Sequence, residues 1–357
     1  MTDVLLAPYL AVPEPFSIGD WTLLPILGAD SPETVEEESD RIPQELQRPA
    51  RRLVDAYRVR DEPGVGALIA PPGGQIGADF SREDMRRLGR VILAGVLGAN
   101  PELRTTEDGS LGGWSIATSE NAVLFGHPIT DGDSYALQTG VLIQVLSTFT
   151  AESDEPLPKI SPPVELPKPM ISRFDSELAA ATWQVLEAAE AAATRLSRAL
   201  DWYRIALANA EAITLDVRVG ATRSALEVLL DAGESTQRLV RRYGDLTRTE
   251  ESEEATYSEV FWAKGPVQLT TDKWWMHRLC ELRNAIVHGD DIPDELWEHD
   301  GSSQLVQMHD RLIGALRIFV AQATGDSLLE LPLADRGFRR AWAEALDDLP
   351  NSEPDHD

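Results

Sequence analysis

The sequence predicts an α+β N-terminal domain followed by an all-α helical bundle, and three observations carry that division. Six prolines crowd residues 152–169, "ESDEPLPKISPPVELPKP". Neither a helix interior nor a central strand accepts them, so the segment reads as a stiff, extended linker. Before it, short apolar runs alternate with loops rich in Gly and Pro. After it, residues 176–212 contain no Gly or Pro and are rich in Ala, Leu and Glu, the strong helix formers. The expected organisation is residues 1–150 as the α+β domain, 151–170 as linker, 171–349 as the bundle and 350–357 as a disordered tail. A chain of 357 residues is long for a single core, which agrees with two units.

In the first unit, "VLLAPYL" at 4–10, "WTLLPIL" at 21–27 and "GALIA" at 66–70 read as short strands. "ADSPETVEEESD" at 29–40 reads as a solvated acidic loop. "SREDMRRLGRVILAGVLGAN" at 81–100 is one helix, with Ser81 as N-cap and Glu83 and Asp84 near the positive end of its dipole. Strand-like text returns at 114–126, with Asn121 available for a turn. The role of this unit stays open, with a sensor or regulatory part as one reading.

The second unit opens with the uninterrupted run 176–212, read as one long helical stretch. Residues 219–233 form the next, ended by Gly233, and 234–246 a third, ended near Gly244. Residues 272–289 are a fourth, with Thr271 or Asp272 as cap and Gly289 as stop. Residues 302–325 make a fifth and 335–349 a last short one. No fixed-period repeat suggests a solenoid.

Composition narrows the function. With 43% hydrophobic and 26% charged residues, the chain belongs with ordinary globular proteins. A net charge of −28, with both halves acidic, argues against a broad grip on nucleic acid, which rests on Lys and Arg neutralising phosphates. Any such contact must be local. The N-terminus has Asp3 where a signal peptide wants a basic residue, and no apolar run is long enough to span a bilayer, so a cytoplasmic protein is expected. One cysteine, Cys280, leaves no intramolecular disulfide and no thiolate-rich zinc site. His127, His299 and His309 are isolated in sequence, and "DGDS" at 131–134 is turn chemistry, so no metal site is expected. "PGVGALIAPPGG" lacks the spacing of either phosphate-binding glycine motif, and there is no H-E-x-x-H or G-x-S-x-G, so no cofactor is expected.

One stretch stands out, "ELRNAIVHGDD" at 281–291. On a helical wheel Trp275, Leu279, Leu282 and Ile286 share one stripe, the face that packs into the bundle. Asn284 and His288 lie together on the opposite side with His277 near them, and Arg283 is on the flank. Met276, Cys280 and Val287 lie between, off the core stripe, as if to meet a second subunit.

Arg283-Asn284-Ala285-Ile286-Val287-His288 resembles the R-x4–6-H motif of HEPN domains, the helical domains named for higher eukaryotes and prokaryotes nucleotide-binding. A polar residue after the arginine and a glycine after the histidine, here Asn284 and Gly289, are common in that family. The upstream "TRSALEVLL" at 222–230 resembles the A-L-E-x-L helix of the Apea-like branch, associated with abortive phage defence. The resemblance covers roughly residues 171–325. It implies metal-independent RNA cleavage by a homodimer that brings two such motifs together through the motif helix, under the control of a protein or phage trigger. Arg283, Asn284 and His288 are then the catalytic residues. The chemistry is consistent: imidazole moves protons near neutral pH, and a guanidinium fork suits charge building on a phosphate. Asn284 can hold the histidine tautomer or a phosphate oxygen. His288 ends its helix, where the backbone dipole is negative, which suits a general acid.

Other readings of the same residues stay open. Arg283 can pair with Glu281 or Asp290 on a solvated face while His288 merely caps the helix. The bundle can also serve as a non-catalytic dimerisation or interaction module, with the N-terminal domain binding a protein. Glu227 can orient Arg283 or sit in solvent, and His277 can assist or pack. Trp274 and Trp275 can stack on bases or fill the core. Arg238, Arg241, Arg242 and Arg248 form the best local basic patch, or a solvated helix face.

Overall fold

The computed structural model describes residues 2–10, 12, 14–27, 44–57, 65–70, 81–99, 118–130, 134–137, 147–150, 174–188, 190–208, 213–247, 260–262, 265–267, 269–299, 302–333 and 335–339. The acidic stretch 29–40, the proline-rich segment and the tail lie outside them.

Strands β1 (Thr2–Ala7), β2 (Phe16–Ile18), β3 (Trp21–Leu27), β4 (Val65–Ala70), β5 (Phe125–Thr130), β6 (Ser134–Leu137) and β7 (Ser147–Thr150) form one antiparallel sheet. Its order is β2-β3-β4-β1-β5-β6-β7. The three strands read from the apolar runs are all present, at the centre of the sheet or beside it. Register explains their double-sided apolar character. Leu5 opposes Ile69 and Ala7 opposes Ala67, while Leu23 also opposes Ile69, so these five share one face. All five belong to the main hydrophobic core. Leu6, Leu24 and Leu68 alternate onto the other face and are just as buried. Helix α1 (Gln44–Ala56) packs there: a Cβ built on Gly66 of β4 would lie 3.3 Å from Val54 of α1. A sheet covered on both faces has no need of polar alternation, and its strands read as continuous apolar runs.

Helix α2 (Arg82–Gly98) starts as its sequence predicts. Ser81 accepts from the Asp84 N–H at 3.0 Å and Asp84 closes the capping box. From Leu88 to Gly98 nearly every side of this helix is buried. A helix apolar all round needs neighbours all round, and it finds them in α3 (Ser176–Glu187), α4 (Ala191–Ala206) and, far along the chain, α8 (Gln304–Thr324). The core therefore runs without interruption from the sheet into the bundle. Two glycines permit the closest approach: an added Cβ would lie 2.3 Å from the Phe174 ring at Gly95, and 2.5 Å from Leu178 at Gly98.

The remaining helices are α5 (Leu215–Leu229), α6 (Thr236–Thr247) and α7 (Thr271–His288). The long stretch predicted over 176–212 is in fact α3 and α4, separated at 188–190. Intrinsic propensity does not mark that break. A single helix of that length would run about 55 Å, well beyond the partners able to cover its apolar side, and packing overrides propensity. The C-terminal part is mostly, not wholly, helical. Among the described residues two short strand pairs interrupt it, β8 (Val260–Trp262) with β9 (Gly265–Val267), and β10 (Glu298–His299) with β11 (Ser302–Ser303). Of the last predicted helix, residues 335–339 are described and helical. The strand-like text around Asn121 resolves into a 3-10 turn, Ser119–Ala122, ahead of β5. Among the described residues no helix is long and apolar enough to cross a membrane.

An ion pair locks the far end of the chain to the start of the bundle. Asp175 is the N-cap of α3 and accepts from the Leu178 N–H at 3.0 Å. Arg336 grips the same carboxylate through both Nη1 and Nη2, reaches Glu177 at 3.0 Å, and donates from Nε to the Leu331 carbonyl. Asp175 and Arg336 are 0% and 1% exposed. Beside them Arg317 of α8 donates to the Gly98 carbonyl at 2.8 Å, and the Asp175 N–H donates to the Gly95 carbonyl. Arg317 thereby satisfies a carbonyl that the end of α2 leaves without an intrahelical partner, while the Gly95 carbonyl, already accepting from the Ala99 N–H, gains a second donor.

Candidate functional site: the exposed flank of α7

Helix α7 begins after Thr270, one residue before the predicted cap, with Asp272 in its first turn. It ends in a Schellman motif at Gly289, whose φ of 70° favours glycine. The Gly289 N–H donates to the Ile286 carbonyl at 3.2 Å and the Asp290 N–H to the Ala285 carbonyl at 3.0 Å. That cap stops the helix immediately after His288.

The core stripe lies where the wheel puts it. Trp275, Leu279 and Leu282 are fully buried and Ile286 packs against the same core. Trp275 meets the Tyr243 ring at 5.4 Å and carries the Arg311 guanidinium over its face at 5.6 Å. Arg311 also pairs with Asp272. So Trp275 is core, not a stacking platform.

The wheel fails on Met276 and Cys280. Both are 0% exposed, because α5 and α6 cover a second flank of the helix as well as the core stripe. They cannot line an exposed seam, and of the three apolar residues expected there only Val287 remains outside, at 59%. Burial pushes the Cys280 thiol up to about 11, so it stays protonated and unreactive near neutral pH.

What fills the space beside Asn284 is a polar cluster built by two helices. Arg223 of α5 is 5% exposed. It pairs with Glu227, one turn on, at 2.8 Å, and points Nη1 at the Asn284 Oδ1 at 3.4 Å. The same Oδ1 accepts from Arg283 Nη1 at 3.3 Å. Two guanidinium groups thus converge on one amide oxygen. The Glu227 carboxyl is raised above its ordinary range by burial, and Arg223 and then Arg283 pull it back down. Glu227 is therefore a half-buried member of the cluster: it supplies a counter-charge to two neighbouring arginines.

Arg283 does not form the surface pairing with Glu281. That carboxylate is taken by His277 Nδ1 at 3.5 Å and Arg278 at 3.7 Å. The contact with His277 holds the Glu281 carboxyl below its usual range. His277 is itself buried and stacked flat on Trp274, at 5.8 Å and 3°, and Arg278 lies against the same Trp274 ring. These residues form a packed surface cluster of their own and do not join Asn284. His288 is exposed, and among the described residues it makes no hydrogen bond or ion pair. Asn284 does not hold its tautomer; the amide oxygen is committed to the arginines.

The basic run upstream divides. Arg242 ties the middle of α6 to the turn that follows α5 through the Leu230 and Asp231 carbonyls and the Asp231 carboxylate at 3.3 Å. Arg238 and Arg241 are exposed on α6, and Arg248 lies outside the described residues. Arg223 escaped the sequence reading, although "TRSALE" holds an i, i+4 Arg–Glu pair, the spacing that puts two charges side by side on a helix. His299 sits in the β10–β11 strand pair, and His309 is buried against Asp310 at 3.3 Å. Comparison of the chain with protein-family models, with curated proteins and with solved structures gives no match in any of the three.

Proposed function

We propose that the chain is a metal-independent endoribonuclease of HEPN type that cuts RNA at the α7 flank. The observation that carries this reading is the convergence of Arg223 and Arg283 on Asn284, one turn before an unengaged His288 at the helix end. The Arg283 guanidinium can bind a non-bridging phosphate oxygen, the Asn284 amide nitrogen, its oxygen already occupied, can donate to the same group, and the buried Arg223 behind them holds Asn284 in place. In the reaction the RNA 2′-oxygen attacks the adjacent phosphorus and the bond to the 5′-oxygen breaks. One imidazole takes the 2′-hydroxyl proton and an imidazolium returns a proton to the 5′-oxygen, leaving a 2′,3′-cyclic phosphate and a 5′-hydroxyl. Two histidines are needed, and a homodimer placing two copies of the flank across one cleft supplies them. The resemblance of the R-N-A-I-V-H motif supports a cytoplasmic role in phage defence or stress response, with the sheet-bearing half as sensor or restraint. A net charge of −28 limits RNA contact to this flank.

Incubation of the purified protein with total RNA in excess EDTA tests the proposal. Cleavage is expected to persist and to leave cyclic phosphate ends, because every proton and charge in the scheme is handled by side chains. A His288→Ala preparation controls for contaminating nuclease. If chelation abolishes cleavage and a divalent metal restores it, the scheme is wrong.

A second reading, a non-catalytic dimerisation or interaction module, draws on Val287, which is 59% exposed beside His288. Both readings expect Val287→Asp to break the dimer while leaving the helical signal intact, since the side chain touches no core. Sedimentation velocity showing an unchanged oligomer would place the subunit contact elsewhere. Only the catalytic reading expects this variant to lose RNA cleavage as well.

A further inference from the structure

Away from α7, a groove of about 280 Å³ lies between α2, α3 and α4. Its charge is opposite to that of the chain around it. Arg87 and Arg90 of α2 and Arg198 of α4 line it against one carboxylate, Glu83, and Thr194 and Ser197 add two hydroxyls from α4. In a protein carrying 60 acidic and 32 basic residues, arginines seldom want for partners. Arg90 has one: Asp201 holds its Nε at 3.0 Å and its Nη2 at 2.9 Å, leaving Nη1 over. Arg87 lies over the Trp183 ring at 5.5 Å, a contact that leaves its N–H groups unused. Arg198 pairs with no carboxylate among the described residues.

We propose that this groove binds a small phosphate monoester with a hydroxylated body, the chemistry of a sugar phosphate. Arginines reaching in from two different helices suit an anion with several oxygens, which each fork can grip separately. Glu83 in the lining repels a bare polyanion but accepts hydrogen bonds from sugar hydroxyls, and Thr194 and Ser197 offer both donors and acceptors. The volume lies just under the range usual for small-molecule sites, which suits a ligand of few atoms. The groove is independent of the α7 chemistry, so its ligand can be measured without any cleavage assay.

Calorimetric titration of the full chain with ribose 5-phosphate at fixed ionic strength tests this, with inorganic phosphate, ribose and a short 5′-hydroxyl oligoribonucleotide as separate arms. Saturable binding is expected for ribose 5-phosphate, weaker binding for inorganic phosphate and none for ribose. Arg198→Ala is expected to weaken ribose 5-phosphate by about tenfold or more, with Arg198→Lys in between. Arg198 is exposed, so both variants are expected to keep the wild-type circular dichroism. No saturable heat up to about 5 mM would overturn the proposal, and so would an Arg198→Ala affinity equal to wild type. Arg198-dependent binding of the oligonucleotide without binding of ribose 5-phosphate would overturn it too, in favour of a polymer-tracking surface.

Discussion

Replacing Arg336 by Met is expected to destabilise the protein by about 3–5 kcal/mol, measured as a fall in the urea midpoint at unchanged slope. The Asp175 carboxylate it grips is 0% exposed. Among the described residues it retains only the Leu178 N–H once the guanidinium is gone. The cost is that of a buried charge left without its partner, far more than a surface pair contributes. The pairing itself need not be strongly stabilising, so the double variant Asp175→Asn with Arg336→Met should recover most of the loss. Asn keeps the N-cap bond of α3 and removes the orphaned charge. A single-variant loss below about 1 kcal/mol would mean that water reaches the pair.

The largest effect on activity is expected from Arg283→Lys, nearly as damaging as Arg283→Ala. A guanidinium can bond Asn284 Oδ1 through one nitrogen and a phosphate oxygen through another, whereas an ammonium is a single point charge. Losing one such charge-stabilising contact is worth about 3–4 kcal/mol, a fall of roughly 10²–10³ in single-turnover cleavage. RNA affinity is expected to fall much less, because the contact strengthens as charge develops on the phosphate. Folding stability is expected to stay within about 0.5 kcal/mol, since Arg283 anchors nothing in the core. An ordinary charged helix end predicts near-wild-type rates for the lysine variant, and such rates would sink the catalytic reading.

What the sequence discloses and what it hides follow from how local each cause is. The capping box at Ser81 and the stop at Gly289 are local, and both are where the residues say. The strands at 2–7, 21–27 and 65–70 announce themselves by apolar runs. Helix α1 does not, because Pro49 sits inside it and reads as a breaker. The break between α3 and α4 has no Gly or Pro to mark it. Met276 and Cys280 show the limit most clearly. Periodicity finds one face of α7, but the number of neighbours covering a helix is a tertiary fact, and α7 has more than one. For the same reason Arg283 and Asn284 were visible as polar groups, while the arginine that meets them from α5, 61 positions upstream, was not.

The clasp between Asp175 and Arg336 also has a place in time. The two residues are 161 positions apart. At the pace of a ribosome that separation is about 8–30 s of synthesis. Throughout that interval the carboxylate at the head of α3 has no guanidinium to neutralise it and must keep its water. The end of α2, which the same junction covers, stays open with it, and Arg317, the other donor there, emerges only shortly before Arg336. The sheet thus completes its attachment to the bundle only after the segment carrying Arg317 and Arg336 has left the ribosome, well after α2 and Asp175 have done so.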